Sequence, residues 1–337
     1  MRILVTGGTG YVGSHTAVQL IAAGHEVEIV DSLANSKASV SDRIGSISGM
    51  APPLHVFDLR DEGRVDALIA HGRFDAVMHF AGLKAVGESV AKPLEYWDAN
   101  VGGSTSLLGA LQRHGVRSFV FSSSCTVYGD PETVPVTEAT PLQPATNPYG
   151  ATKATIERIL TDVHRSDPTW SIGLLRYFNP VGAHESGTIG EDPNDIPNNL
   201  MPYICQVAAE REPELRVFGN DYPTRDGTGI RDYIHVEDLA AGHLAALDFL
   251  DRSGGIHVWN LGSGSGTTVL EMVAAFERAT GVRVPYRVTG RRAGDIAATW
   301  ADPSKANHEL GWATSRSIED MCADAWRWQT SGAASPH

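Results

Sequence analysis

The chain has 337 residues, of which 42% are apolar and 20% charged, the proportions of a globular protein with one large or two medium cores. Its formal charge of −13 argues against a nucleic-acid partner, which needs concentrated Lys and Arg, yet allows a phosphorylated ligand held by a few local cations. Cys125, Cys205 and Cys322 are widely spaced and no His-x-x-x-His occurs, so neither a disulfide framework nor a metal site is suggested.

Arg2–Thr6 is a β-branched apolar run of the kind buried in a parallel sheet, and Gly7-Gly-Thr-Gly10-Tyr-Val-Gly13 follows at once. Val12 to Ala23 has helical spacing and stops at Gly24, and Glu26–Val30 forms a second strand capped by Asp31. Strand, glycine loop, helix, strand and acid in that order make a dinucleotide-binding unit. Gly7, Gly10 and Gly13 let the backbone turn tightly beside a pyrophosphate, and the helix N-terminus offers it free amides. Asp31 can accept from the adenosine ribose and would repel a 2′-phosphate, which selects NAD over NADP.

Asn35-Ser-Lys is a polar loop, and Pro52–Phe57 leads into a third strand ending at Asp58, near the adenine. Asp75–Phe80 is a fourth strand, followed by Ala81-Gly82-Leu-Lys84, where small residues let the backbone approach the cofactor. Leu94–His114 is helical, interrupted by Gly102-Gly103, and could cover the sheet or form a subunit contact. Ser118–Phe121 is a fifth strand ending in Ser122-Ser-Ser-Cys-Thr-Val-Tyr128, at the strand end where ligands sit in open α/β sheets. Gly129–Pro148, with five prolines and Glu138, reads as an ordered loop over the site.

Tyr149 and Lys153 then stand four residues apart, on one face of a helix and one turn apart. An ammonium beside a phenol favours the phenolate, so Lys153 is expected to lower the tyrosine's pKa and make it a base. With the serine cluster they supply a hydroxyl, a phenol and an ammonium beside the nicotinamide.

Ile172–Tyr177 is a sixth strand, after which the regular βα rhythm stops. Asn179–His184 and Ile196–Pro202 are irregular and polar, as in a substrate-binding region. Asp232–Val236, a helix over Glu237–Leu250 and a strand at Ile256–Leu261 read as one more unit returning to the sheet. Arg291-Arg292-Ala-Gly-Asp295 is a paired-arginine loop suited to a diphosphate, and the Ser331–Pro336 tail is expected to fray.

The segments Thr6–His15, His79–Glu88, Ser122–Gly129, Leu175–His184, Pro197–Tyr203, Phe218–Thr224 and Gly229–His235 resemble the extended short-chain dehydrogenases/reductases. Within that family they resemble the branch that epimerises UDP-hexoses at C4, over essentially the whole chain. The glycine and Tyr/Lys motifs are common to the superfamily, while the middle and later segments belong to the epimerases.

The resemblance implies a Rossmann-type α/β fold, a doubly wound parallel sheet with a smaller C-terminal substrate-binding α/β region. Residues 1–178, joined by about 233–262, would bind NAD, and 179–232 with 263–337 would bind the UDP-sugar. It implies that Tyr149 is the base, that Lys153 binds the nicotinamide ribose and that Ser124 hydrogen-bonds the sugar 4-hydroxyl. NAD would also meet Gly7, Gly10, Tyr11, Val12, Gly13, Asp31, Ser32, Asn35, Ser36, Asp58, Leu59, Phe80, Ala81, Gly82, Lys84, Ser122 and Phe178. The UDP-hexose would meet Lys84, Ser124, Tyr149, Phe178, Asn179, Asn199, Leu200, Val217, Phe218, Arg231, Arg292, Asp295 and Thr299.

The activity so implied interconverts UDP-galactose and UDP-glucose through a transient 4-ketose, the hydride returning to the opposite face. Two positions depart from the pattern. Ala99 stands where a cofactor-contacting asparagine is expected, and Thr299 is a small residue at a position that gates the sugar's 2-substituent, which would admit UDP-GalNAc and UDP-GlcNAc. A sugar-nucleotide 4,6-dehydratase is the nearest rival, but its Asp-Glu pair is replaced here by Cys125-Thr126; a non-catalytic NAD-binding scaffold would not need Ser124, Tyr149 and Lys153. The resemblance further implies a homodimer through helices at about 94–114 and 149–165. With no leader or membrane-length apolar run, the expected setting is the cytoplasm, away from membranes.

Overall fold

Thirteen strands are found in the computed structural model, which describes residues 1–192, 199–292 and 294–334. The first six are β1 (Arg2–Thr6), β2 (Glu26–Asp31), β3 (Leu54–Val56), β4 (Ala76–His79), β5 (Ser118–Ser122) and β6 (Ser171–Tyr177). After them come β7 (Asn179–Val181), β8 (Leu215–Phe218), β9 (Ile230–His235), β10 (Ile256–Leu261), β11 (Gly266–Thr268), β12 (Tyr286–Thr289) and β13 (Ala298–Thr299). Seven of these form a parallel sheet in the order β10-β6-β5-β4-β1-β2-β3. The strand order reverses between β1 and β4, which opens a crevice at their carboxyl ends.

Both faces of this sheet are covered, which is why its strands carry unbroken apolar runs. Ile3 and Val5 point to one face, where they join Leu20 of the Tyr11–Ala22 helix and Leu239 and Leu247 of the Val236–Ser253 helix. Leu4, between them, points to the other face with Leu107 and Leu111 of the Gly103–His114 helix and Ile156 and Leu160 of the Pro148–Ser166 helix. Each fully buried aliphatic side chain contributes about 1.5–3 kcal/mol, and a one-residue slip of β1 would move every one of them to the wrong face.

Two expected elements differ. The Leu94–His114 helix is broken by a wide π-turn over Trp97–Gly102, which turns the Asn100 side chain inward to Leu83 and Thr152. The strand at Asp232–Val236 does not return to the central sheet: β9 pairs with β7, β11 and β13 in a smaller sheet, and only the helix and β10 return. The reason is Asp232, whose carboxylate is fully buried. Ser263 and Gly264 after β10 and Ala301 after β13 give it four hydrogen bonds, which a neighbour in the central sheet would not supply.

Asp238 fastens the C-terminal segment to the Val236–Ser253 helix by accepting from the Ser315 and Arg316 amides and from Arg316 Nη1 at 2.6 Å. Burial opposes its charge, but the hydrogen bonds from Arg316 and Ser315 hold the carboxyl below the ordinary 3.8. A lowered carboxylate stabilises the fold above its unfolded pKa and loses that contribution as pH falls through the folded value. Asp238→Asn is therefore expected to cost about 2 kcal/mol at pH 7, with the deficit shrinking below pH 4, in denaturant unfolding at both pH values.

Candidate active site

A cavity of about 470 Å³ opens at the carboxyl ends of β1, β2 and β4. Gly7 turns there with φ +68°, and a Cβ on it would lie 2.6 Å from the Ala81 amide; a Cβ on Gly13 would lie 2.4 Å from the Gly7 carbonyl. The loop, the first helix and the chain after β4 thus approach more closely than any side chain allows. The Tyr11–Ala22 helix begins at Gly10 with no side-chain cap and no acid in its first turn, leaving its positive end open to an anion. Asp31 Oδ2 accepts from the Thr9 amide and Oδ1 from Ser36 Oγ at 3.0 Å, so it braces the glycine loop as well as ending β2. A glycine cradle, an uncapped helix end and an acid at the end of β2 fit a dinucleotide.

Of the residues expected to meet NAD, all but Ser122 and Phe178 line this cavity. Ser122 lies just behind the wall, where its carbonyl accepts from Lys153 Nζ at 2.8 Å. Phe178 is buried with Val127, Tyr128, Val136 and Ala301. Ala99 stands on the cavity wall, where an apolar methyl replaces the expected amide.

Asn147 caps the Pro148–Ser166 helix through the Gly150 amide, with Pro148 in its first position, and this sets Tyr149 on the face turned to the cavity. Tyr149, Lys153 and Ser124 are only 6%, 4% and 6% exposed, so Tyr149 and Lys153 are not a surface pair. Ser124 Oγ accepts from the Thr126 amide and hydroxyl, which fixes its rotamer at the end of β5.

The expected lowering of the Tyr149 pKa is not found in the protein by itself. Burial pushes its phenol well above the ordinary value, Tyr177 adds to this, and Ser124 pulls against it. The Lys153 ammonium sits 5.9 Å from the phenol ring and is engaged by Ser122; burial lowers Lys153 itself to about 8, against the pull of Glu157.

The residues expected to hold the UDP-hexose are spread over several elements. Asn179 of β7 stands opposite Tyr233 of β9, two residues along from Arg231; Asn179 Nδ2 donates to the Asp232 carbonyl and Arg231 Nη1 to the Ile230 carbonyl. Thr299 of β13 is buried and in register with Arg231. Asn199 donates to Glu191, and Leu200 opens the Leu200–Ala208 helix. Phe218 is half exposed, with Arg292 over its ring and Asp295 paired to Arg292 at 2.8 Å. Val217 is 1% exposed, its side chain in a core cluster and its carbonyl accepting from Thr289, so it offers a ligand no open surface. The arginine pair divides: Arg291 turns to Asp221 and the Tyr222 ring, leaving Arg292 toward Phe218. Residues 196–198 of the polar Ile196–Pro202 segment, Ala293, and residues 335 and 336 of the tail lie outside the described residues.

Several cavity residues had not been anticipated. Glu191 takes Lys84 Nζ at 2.6 Å and Asn199 Nδ2 at 2.9 Å, Asp192 takes Lys37, and Trp328 donates to the Glu191 carbonyl. Its only signal was Gly190-Glu-Asp within an irregular stretch.

Residues 3–262 match the model of the NAD dependent epimerase/dehydratase family. The chain belongs to that family. It is 57% identical to the UDP-glucose 4-epimerase of Bacillus subtilis (strain 168), over 98% of this chain and 97% of that one. Among solved structures it is similar to the UDP-glucose 4-epimerase of Stenotrophomonas maltophila with bound NAD and formylated UDP-arabinopyranose. That likeness has 54% identity, a TM-score of 0.96 and 98% of each chain covered. The UDP-glucose 4-epimerase of Bifidobacterium longum in complex with NAD+ and UDP matches at 50% identity and a TM-score of 0.96, again over 98% of each chain.

Proposed function

We propose that this protein is an NAD-dependent epimerase interconverting UDP-galactose and UDP-glucose at C4 through a transient 4-ketose. The observation that carries the reading is the burial of Tyr149 and Lys153 in the wall of a cavity that fits a dinucleotide, with the buried Ser124 hydroxyl beside the Tyr149 phenol. Tyr149 takes the proton of the 4-hydroxyl and later returns one, so acid and base are the same phenol. Ser124 orients the hydroxyl, and Lys153 holds positive charge beside the developing phenolate. When bound, NAD would supply a cationic ring that favours the phenolate and the hydride acceptor and donor that oxidation and re-reduction at C4 require. Arg231, Arg292 and Phe218 are suited to the diphosphate and uracil, so the nucleotide is anchored while the sugar is free to turn. In the dehydratase reading a carboxylate pair would follow Ser124, and the turn there is Cys125–Tyr128, without an acid. Incubating the purified protein with UDP-galactose, without added NAD, should yield UDP-glucose; no conversion would refute the reading.

Thr299 supports a second activity on UDP-GalNAc and UDP-GlcNAc, because a small side chain beside Arg231 leaves room for an N-acetyl group. Thr299→Tyr is expected to cut kcat/KM for UDP-GalNAc by about a hundredfold while changing that for UDP-galactose little. Failure of the parent chain to convert UDP-GalNAc would remove this activity.

The division into an NAD-binding part, residues 1–178 with about 233–262, and a UDP-sugar-binding part, 179–232 with 263–337, belongs to the same reading. So do a homodimer, a cytoplasmic location and a role in galactose metabolism. The dimer is supported by Val90, Leu94 and Trp97, which expose an apolar face before and within the Pro93–His114 stretch, Leu94 at 81%. Leu94→Lys is expected to shift sedimentation from dimer to monomer, and a parent chain that sediments as a monomer would exclude the pairing. The three cysteines are unpaired, in keeping with a reducing compartment, and no helix among the described residues is long and apolar enough to cross a membrane.

A further inference from the structure

Behind the catalytic residues is a buried ion pair that the proposed reaction leaves unused. Glu157 stands one helical turn beyond Lys153, and Arg176 meets it from β6, with Nη2 2.6 Å from Oε2 and Nε 3.0 Å from Oε1. The two are 4% and 6% exposed, and a desolvated pair of this kind is seldom the most stable way to fill a core. Its connections give it another use. Glu157 Oε1 also accepts from Ser123 Oγ at 2.6 Å, and Ser123 immediately precedes Ser124. Arg176 Nη1 donates to the Tyr128 hydroxyl, which donates to Asn260 Oδ1 at 2.6 Å. Asn260 in turn holds the loop over the site, donating from its side chain to the Val136 carbonyl and from its amide to Glu138. The Val136 amide closes the path on the carbonyl of Trp300, the neighbour of Thr299.

We propose that Glu157, held by Arg176, is a positioning residue of the epimerase reaction, fixing the Ser123–Ser124 strand end against the catalytic helix and keeping a negative charge one turn from the Lys153 ammonium. The inference rests on the function proposed above and gives that site a supporting layer. Lys153 is faced by Tyr149 and Glu157 on its own helix and by the Phe121 ring and Ser122 carbonyl on β5. His79 of β4 also feels its charge and is held neutral by burial, its pKa lowered to about 3, while Tyr177 of β6 acts on Tyr149. Of these groups Glu157 alone bears a carboxyl group, and Arg176 is paired with it. Burial opposes the Lys153 charge and Glu157 supports it. Lys153 must stay protonated to favour the phenolate, so activity should fall as pH rises through its pKa.

The test measures epimerisation of UDP-galactose by the NAD-loaded protein across pH, for the parent and for Glu157→Gln, Glu157→Asp and Ser123→Ala. Glu157→Gln should lose about ten- to a hundredfold in kcat with KM little changed, and its alkaline limb should move down by about one pH unit. Glu157→Asp should keep the limb where the parent has it. Ser123→Ala keeps the charge, so it should lower kcat without moving the limb. Should Glu157→Gln not fold because Arg176 is left unpaired, the double variant Glu157→Gln/Arg176→Met takes its place with the same expected shift. An alkaline limb that stays in place when the charge is removed, or a Ser123→Ala variant with full kcat, would overturn the proposal. An inactive parent would instead overturn the function on which it rests.

Discussion

The Tyr149→Phe variant should keep its fold and bound NAD yet epimerise UDP-galactose about 10²–10⁴-fold more slowly, the usual share of a positioned acid–base group. Phenylalanine fills the same buried volume and removes only the hydroxyl, so any loss of rate reports proton transfer rather than packing. In the protein by itself Tyr149 is a weaker acid than free tyrosine, because burial outweighs the help from Ser124. Its reactivity must therefore depend on positive charge gathered around it, from Lys153 and from bound NAD. The comparison of kcat and NAD content between parent and variant checks this: undiminished epimerisation would show that the base lies elsewhere.

Gly13→Ala should yield protein with NAD occupancy reduced at least about tenfold, measured as nucleotide released on denaturation, and with about 1–3 kcal/mol less stability. The added methyl would lie 2.4 Å from the Gly7 carbonyl and 2.9 Å from the Gly8 Cα, both backbone, so no side chain can rotate out of the way. The first helix or the glycine loop must then move, and the uncapped amides proposed to meet the pyrophosphate move with it. The same change at Gly24, where a Cβ meets no atom within 4 Å, is the control for space; its φ of +85° carries the backbone cost alone. Retention of NAD by Gly13→Ala at the parental level would show that the cradle is not where the pyrophosphate sits.

The parts of the site that were legible beforehand are those whose chemistry depends on neighbours in the chain. The glycine loop, the acid ending β2 and the Tyr149/Lys153 spacing each act through seven consecutive residues or fewer, and local backbone geometry follows from local side chains. Ser124 belongs with them, since a serine at a strand end is placed by the strand itself. Phe178 and Val217 were less legible: a strand's two faces are told apart by alternation, but which face is covered depends on elements far away in sequence. β9 is almost wholly buried like a central strand and takes its place in the small sheet because Ser263, Gly264 and Ala301 arrive to satisfy Asp232.

Charge shows the same division. Arg291 and Arg292 read as a pair suited to a diphosphate, yet Asp221 engages Arg291 from 70 residues away, just as Glu191 engages Lys84 from 107. The acidity of Tyr149 is likewise set by how deeply the Pro148–Ser166 helix is buried and by Tyr177 and Ser124, which reach it from other elements. Amino-acid order settled the αβ rhythm, the glycine loop and the spacing of its polar groups, because short-range sterics and hydrogen bonding dictate them. Packing settled which of those groups are buried, how their charges balance and which strands share a sheet, because desolvation and ion pairing act across space between residues distant in the chain.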